Sequence, residues 1–259
     1  MAENRSARPA QAQFGRQAAF YAESVTFRHG ESLDALTEFA AMGRYSRVVD
    51  LGTGPGFTAF IMAPYSQYVL ATDIAPGMLA QVRRLIVERR LDNVGPMLVE
   101  AESLPFASNS LDAVTSRQAA HHFHDLPRAV ADAARVLKPG APLILTDPAA
   151  PEGDFEAAWM NDVEVRRDAT HQQDRKVSEW QLLLEGAGFH VTHWSMAKVY
   201  LEFNDWVRRS GTPLAEVEPL RRDFLDAPAS VKAAFGIQPE GDDIKFHWDV
   251  LVFRAVKGM

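Results

Sequence analysis

Three glycines at alternate positions, Gly52, Gly54 and Gly56, follow directly on an apolar run that carries one acid, Asp50. A buried strand that ends in glycines and opens into a helix lets bare backbone approach a ligand closely. Twenty-three residues beyond Asp50 a second apolar run, 68–72, ends in Asp73. A carboxylate there can accept hydrogen bonds from both hydroxyls of a ribose, so a nucleoside ligand is expected. His121, His122 and His124 form a second reactive group, and His171 stands in a polar stretch further on. Imidazole titrates near neutrality, which makes His121, His122 and His171 candidate proton acceptors. No metal is expected, because neighbouring histidines on one turn point apart and neither H-x-x-x-H nor H-E-x-x-H spacing occurs. Arg117 and Arg167 are of the right type to hold an acidic or carbonyl group of a substrate, or to serve as ion-pair partners of the scaffold.

Positioning these groups requires a layered frame. From 46 to 149 strands and helices alternate, with strands expected near 46–51, 68–72, 95–99, 111–116 and 142–146 and helices near 57–64, 77–89 and 125–137. Short connections and apolar strands suit a mostly parallel sheet covered on both faces, whose ligands sit beyond the carboxyl ends of the strands. Asp125 followed by Pro127 marks a helix start, and Pro139-Gly140 a stop. Ahead of this core, residues 1–13 read as a flexible tail and 14–24 and 32–40 as helices. After it come helices near 155–167 and 178–186, a strand at 189–196, helices at 201–210 and 219–225, and a closing strand at 245–255. One domain spanning 1–259 is expected: tail 1–13, N-terminal helices 14–45, core 46–149, and substrate-side helices and closing strands 150–259.

Composition sets bounds. The chain of 259 residues is 47% hydrophobic and 24% charged, which suits a globule with a substantial core. A net charge of -7 with scattered basic residues disfavours nucleic acid as a partner. The absence of cysteine excludes disulfides and a thiolate nucleophile, and fits a reducing, cytoplasmic location. No apolar run approaches a membrane span, and the polar first residues do not read as a secretory signal.

A dinucleotide turn spaces its glycines GxGxxG to seat a pyrophosphate, whereas here the pattern is GxGxG with Pro55 inside it. This loop resembles that of the class I S-adenosylmethionine-dependent methyltransferases, whose cofactor has no phosphate. The segments 73–79 (Asp-Ile-Ala-Pro-Gly-Met-Leu), 101–106 (Ala-Glu-Ser-Leu-Pro-Phe) and 135–140 (Arg-Val-Leu-Lys-Pro-Gly) resemble further motifs of that family in the same order. Gln118 to Phe123, Thr146-Asp147, residues 167–171 and Glu179-Trp180 with 187–189 resemble its menaquinone/ubiquinone-biosynthesis-like small-molecule branch. One departure is Ala169, where members close to this pattern carry proline.

The resemblance implies a Rossmann-like α/β fold, a mostly parallel seven-stranded sheet with an N-terminal helical lid and helical insertions after strand five. It implies S-adenosyl-L-methionine as cofactor, S-adenosyl-L-homocysteine as product, and a small aromatic, quinone-like or heterocyclic acceptor methylated at C, N or O. Asp50, Gly52, Thr53, Gly54, Gly56, Asp73, Ile74, Met78, Ala101, Glu102, Gln118 and Tyr21 become cofactor candidates. Phe14, Tyr21, Arg117, His122, Arg167, His171 and Trp206 become substrate candidates, and His29 joins Phe14 and Tyr21 as a lid residue. Trp159, Trp180, Tyr200, Phe203 and Trp248 either line an apolar pocket with Trp206 or pack the core. The expected assembly is a monomer or homodimer. A fold member that binds the cofactor without methylating, as a cyclase-like catalyst or a regulatory partner, is the alternative.

Overall fold

The computed structural model describes residues 8–23 and 30–259, with the side chains of residues 8–10, 19–21 and 23 outside that description. Five strands lie parallel in the order β3-β2-β1-β4-β5: β1 (Tyr45–Leu51), β2 (Ser66–Asp73), β3 (Val94–Leu98), β4 (Ala113–Arg117) and β5 (Pro142–Ala150). Both faces of this sheet are covered, which is why consecutive valines of β1 are buried: Val48 packs with Phe60, Val82 and Leu85, and Val49 with Leu126, Val130 and Ala133. Burying side chains of this size contributes about 1.5–3 kcal/mol each.

The strand order reverses between β1 and β4, where Leu51 pairs with Ser116 at the carboxyl ends. An opening at that place is the natural ligand site of such a sheet. Beyond β5, a short β6 (Arg175–Lys176) pairs with it, and the long strands β7 (Phe189–Glu202) and β9 (Asp243–Lys257) extend the sheet antiparallel in the order β5-β9-β7. β8 (Gln238–Glu240) folds back on β9.

The helices are α1 (Arg8–Glu23), α2 (Glu31–Ala41), α3 (Phe57–Met62), α4 (Pro76–Arg89), α5 (Leu126–Val136), α6 (Asp154–Arg167), α7 (Val177–Gly186), α8 (Phe203–Ser210), α9 (Leu214–Leu225) and α10 (Ala229–Phe235). Asp125 caps α5 by accepting a hydrogen bond from the Arg128 backbone at 3.0 Å. α8 to α10 and the start of β9 enclose a second core of Phe203, Trp206, Phe224, Phe235, Phe246 and Trp248. Among the described residues no helix is long and apolar enough to cross a membrane.

Several boundaries differ from expectation. α1 begins at Arg8, inside the expected tail, and is tied down by Gln11 Nε2 donating to the Ile74 carbonyl at 2.9 Å. β7 runs on to Glu202, where helix was expected from residue 201, because each residue from His193 to Glu202 pairs with β9. The ladder outweighs the polar composition of that stretch. α9 starts at Leu214 and holds Pro219 in its interior rather than at its first turn. α10 and the short strands β6 and β8 were not foreseen, and they bring the expected seven strands to nine. α1 also meets α4 with unusual closeness: a Cβ on Gly77 would lie 2.9 Å from the Gly15 carbonyl oxygen.

Candidate active site

The loop after β1 is held from behind. Asp50 is fully buried and accepts hydrogen bonds from Thr53 Oγ1 at 2.5 Å and Thr115 Oγ1 at 2.6 Å. Burial pushes its carboxyl up to about 6 against the pull of those two hydroxyls. Asp50 therefore shapes the loop from behind, and its side chain is not among those lining the cavity. Gly56 is likewise set back; at φ 100 it starts α3, and a Cβ there would meet Phe60 Cζ at 2.7 Å. Gly52 and Gly54 do face the cavity. Gly52 (φ 60) allows close approach of the loop after β4, since its Cβ would meet that of Ala119 at 2.5 Å. Gly54 (φ 53) leaves open space where a side chain would project.

Asp73 ends β2 with its carboxylate turned to the same cavity. Its Oδ2 accepts from the Gly54 backbone at 2.9 Å and its Oδ1 from Ala75 at 2.8 Å, so one carboxylate fixes both loops. Burial raises this carboxyl to about 6 as well. The cavity, of about 170 Å³, is also lined by Thr53, Ile74, Met78, Ala101, Glu102, Arg117, Gln118, His122 and Phe14. Gln118 adopts φ 50, a left-handed conformation unusual for its type, at the end of β4. Burial lowers Arg117 to about 10, with the nearby Asp50 charge opposing that shift. Pro55, Phe57, Thr58, Val99, Glu100, Ala119, Phe123, His124, Ala169, Thr170 and Gln172 complete the wall without having been singled out as cofactor or substrate residues.

A second chamber of about 90 Å³ adjoins the first, and Phe14, Gln118 and His122 line both. Its apolar wall is Pro148, Val199, Leu201, Trp206, Trp248 and Val250; its polar wall is His121, Glu164, Arg167, Asp174 and Arg209. Glu164 organises that wall, its Oε1 accepting from the indoles of Trp206 at 3.2 Å and Trp248 at 2.6 Å. Its Oε2 accepts from Arg167 Nη1 at 2.8 Å, and the Arg167 guanidinium stacks 5.0 Å over Trp206. Burial raises the carboxyl of Glu164, but Arg167 together with the neighbouring His171 and His121 outweighs it and the net shift is downward. Asp174 is 2% exposed and its Oδ1 has no hydrogen-bond partner among the described residues; burial holds its carboxyl well above the usual range.

The histidines part company. His121 Nδ1 lies 2.8 Å from Asp147 Oδ1, and although burial alone would lower it, the Asp147 charge and hydrogen bond carry it up to about 9. It is a charged partner of Asp147. His122 is stacked edge-on against Phe14 at 4.8 Å, and burial, reinforced by the His121 charge, holds it neutral, well below its ordinary value. His171 lines neither chamber; it is buried behind them with Nε2 3.2 Å from Asn161 Oδ1, and burial lowers it to about 4.

Of the six large aromatic residues expected either to line a pocket or to pack, Trp206 and Trp248 border the second chamber. Trp159, Trp180 and Phe203 pack in the core, and Tyr200 is exposed. The side chain of Tyr21 and all of His29 lie outside the described residues.

Residues 49–145 match the family described as Methyltransferase domain. A Bacillus subtilis protein described as the uncharacterized methyltransferase YcgJ is 30% identical over 249 residues, covering 94% of this chain and 97% of that one. YafE of Escherichia coli is 36% identical over 206 residues, or 80% and 98% of the two chains. The crystal structure of YcgJ is similar with a TM-score of 0.82 and 28% identity, over 88% of this chain and 98% of that one. The glycine loop, the acid ending β2 and this full-length similarity agree: the chain belongs to the class I S-adenosylmethionine-dependent methyltransferases.

Proposed function

We propose that the chain moves a methyl group from S-adenosylmethionine in the first chamber to a C, N or O nucleophile of a small metabolite in the second. The observation that carries this reading is the common wall: Phe14, Gln118 and His122 border both spaces, so ligands filling them meet at those residues.

The residues of the first chamber fit the cofactor. Open space at Gly54 admits a ligand where any other residue would place a side chain. Asp73 would hold the ribose hydroxyls, Ile74 and Met78 would flank the adenine, and Ala101 and Glu102 would lie at its edge. The bound cofactor supplies an electrophilic methyl carbon on a sulfonium sulfur. The chain's own residues bring the nucleophile into line, exclude water, and take up a proton where the acceptor carries one. His122 is placed for that last task, being neutral and at the common wall.

A small aromatic, quinone-like or heterocyclic acceptor suits the indole-walled second chamber. That preference is supported by a demethylmenaquinone methyltransferase of Thermus thermophilus, 37% identical over 113 residues, spanning 42% of this chain and 50% of that one. The test is methyl-labelled S-adenosylmethionine with a cell extract, read by mass spectrometry of small molecules. A labelled product made by the wild type, and lost in Val250→Trp with S-adenosylhomocysteine affinity unchanged, supports the assignment of the two chambers. Equal product from Val250→Trp overturns it.

A further inference from the structure

The segment joining α6 to β6 folds against the histidine turn after β4. Gln172 donates its backbone N–H to the His121 carbonyl at 2.8 Å, and His171 donates its own to the Asp168 carbonyl at 3.0 Å. This clamp brings Thr170 Oγ1 to 3.3 Å from His122 Nδ1. On its other side Thr170 Oγ1 stands 2.6 Å from Asp168 Oδ1, which also accepts the Thr170 backbone N–H at 2.8 Å. Asp168, Thr170 and His122 thus form a line of three polar groups ending at the common wall of the two chambers.

The direction of the hydrogen bonds along that line is fixed by donor arithmetic. A hydroxyl has one proton to give and lone pairs to accept with, and an ionised carboxylate only accepts. Burial raises the Asp168 carboxyl, but the hydroxyl and backbone N–H of Thr170 and the Arg167 charge favour its ionised form, and the net shift is downward. Thr170 therefore spends its proton on Asp168 and faces His122 with a lone pair. The Nδ1 of His122 must then be the donor. A neutral imidazole protonated at Nδ1 has its lone pair at Nε2. The one side-chain hydrogen bond of the His122 ring among the described residues is the one to Thr170 at Nδ1, the Thr170 backbone also faces the ring, and the ring borders both chambers.

We propose that Asp168 and Thr170 are positioning residues that lock His122 in the Nδ1–H tautomer, aiming a free Nε2 at the acceptor, and that the acceptor is accordingly a phenol, enol or N–H heterocycle. This rests on the methyl-transfer reading above. The step balances without any further reactant. The O–H or N–H proton of the acceptor passes to Nε2, the freed lone pair takes the methyl carbon, and the carbon–sulfur bonding pair stays on sulfur. His122 leaves the step as an imidazolium and returns its proton to water when product departs. The charged His121 ring, centred 4.2 Å away, favours that return.

The test has a readout independent of turnover. Full-length protein labelled with ¹⁵N-histidine, its eight histidines sorted by a His122→Gln control, reports the tautomer through long-range ¹H–¹⁵N correlations. The expected wild-type pattern is protonated Nδ1 and bare Nε2 at His122. Thr170→Val is expected to shift the majority to Nε2–H, and Thr170→Ser to restore the wild-type pattern. With labelled S-adenosylmethionine and the cell extract, Thr170→Val should lose roughly tenfold or more in the rate of labelled product and His122→Gln roughly a hundredfold. Because His122 and Thr170 line the cofactor chamber, S-adenosylhomocysteine affinity is measured on each variant and turnover is compared at saturating cofactor. An Nε2–H or doubly protonated His122 in the wild type, or a tautomer indifferent to Thr170→Val, overturns the proposal. Failure of the wild type to bind S-adenosylhomocysteine would instead overturn the methyl-transfer reading, so the two failures are distinguishable.

Discussion

His121 and Asp147 offer the sharpest stability experiment. Asp147 is 1% exposed, and its second oxygen, Oδ2, has no hydrogen-bond partner among the described residues. His121→Leu keeps the volume but strands a buried carboxylate, and breaking one side of such a pair costs about 3–5 kcal/mol. Spread over the unfolding entropy of a chain this size, that lowers Tm by about 6–10 °C. His121 sits at about 9 in the folded protein, above its unfolded value near 6.5, so its stabilisation is complete below pH 6.5 and gone by about pH 9. The difference, roughly 2.5 units, amounts to about 3 kcal/mol. In thermal melts of wild type, His121→Leu, Asp147→Asn and the double variant between pH 6 and 10, wild type and His121→Leu should therefore converge at the alkaline end, where both hold an unpaired Asp147 carboxylate. The double variant should recover more than half of the loss at pH 7, because no buried charge remains. A His121→Leu protein melting within about 1 °C of wild type at pH 7, or a double variant no better than the single, would refute the ion-pair account.

Asp73 titrates near 6, so if the ribose is held by the ionised form, calorimetric affinity for S-adenosylhomocysteine should fall about tenfold between pH 7.5 and 5. A flat profile would remove Asp73 from that role. Gly54→Val forces a β-branched residue to φ 53 and fills the cavity, and is expected to abolish the same binding while the protein stays folded by circular dichroism. Trp248→Phe deletes one of the two indole donors to Glu164 and should cost about 1–3 kcal/mol in urea unfolding; an unchanged midpoint would count against Glu164 as the organiser of that wall.

The parallel half of the sheet was readable because each strand is short, apolar and closed by a turn residue, and β1 to β5 fall within a few residues of expectation. The antiparallel half was less so. The segment 190–195 (His-Val-Thr-His-Trp-Ser) has no clean alternation, and the length of β7 is set by its pairing with β9 some fifty residues away. Cofactor-side residues cluster in local motifs, so reading along the chain reached most of them. The second chamber is assembled from β5, α6, β7, α8 and β9, and no local motif encodes it. A signal was nonetheless present: Glu164 and Arg167 stand on the stripe of Met160 and Val163, at i+4 and i+7 from Met160, where a surface helix would carry apolar residues. Charged residues inside a buried stripe point to an internal polar wall. Asp174 had no such mark.

Phe14 belongs to α1, which meets α4 through bare backbone where Gly15 approaches Gly77. Its ring borders both chambers. Any ligand packed on that ring draws part of its affinity from the docked helix, and each ligand lessens what the other must spend to order it. Thermodynamic linkage then makes the effect mutual: whatever factor the cofactor adds to acceptor affinity, the acceptor adds to cofactor affinity. Bulk at Gly77 would loosen the helix and weaken both ligands together, so one residue in contact with neither sets how strongly the two bindings cooperate.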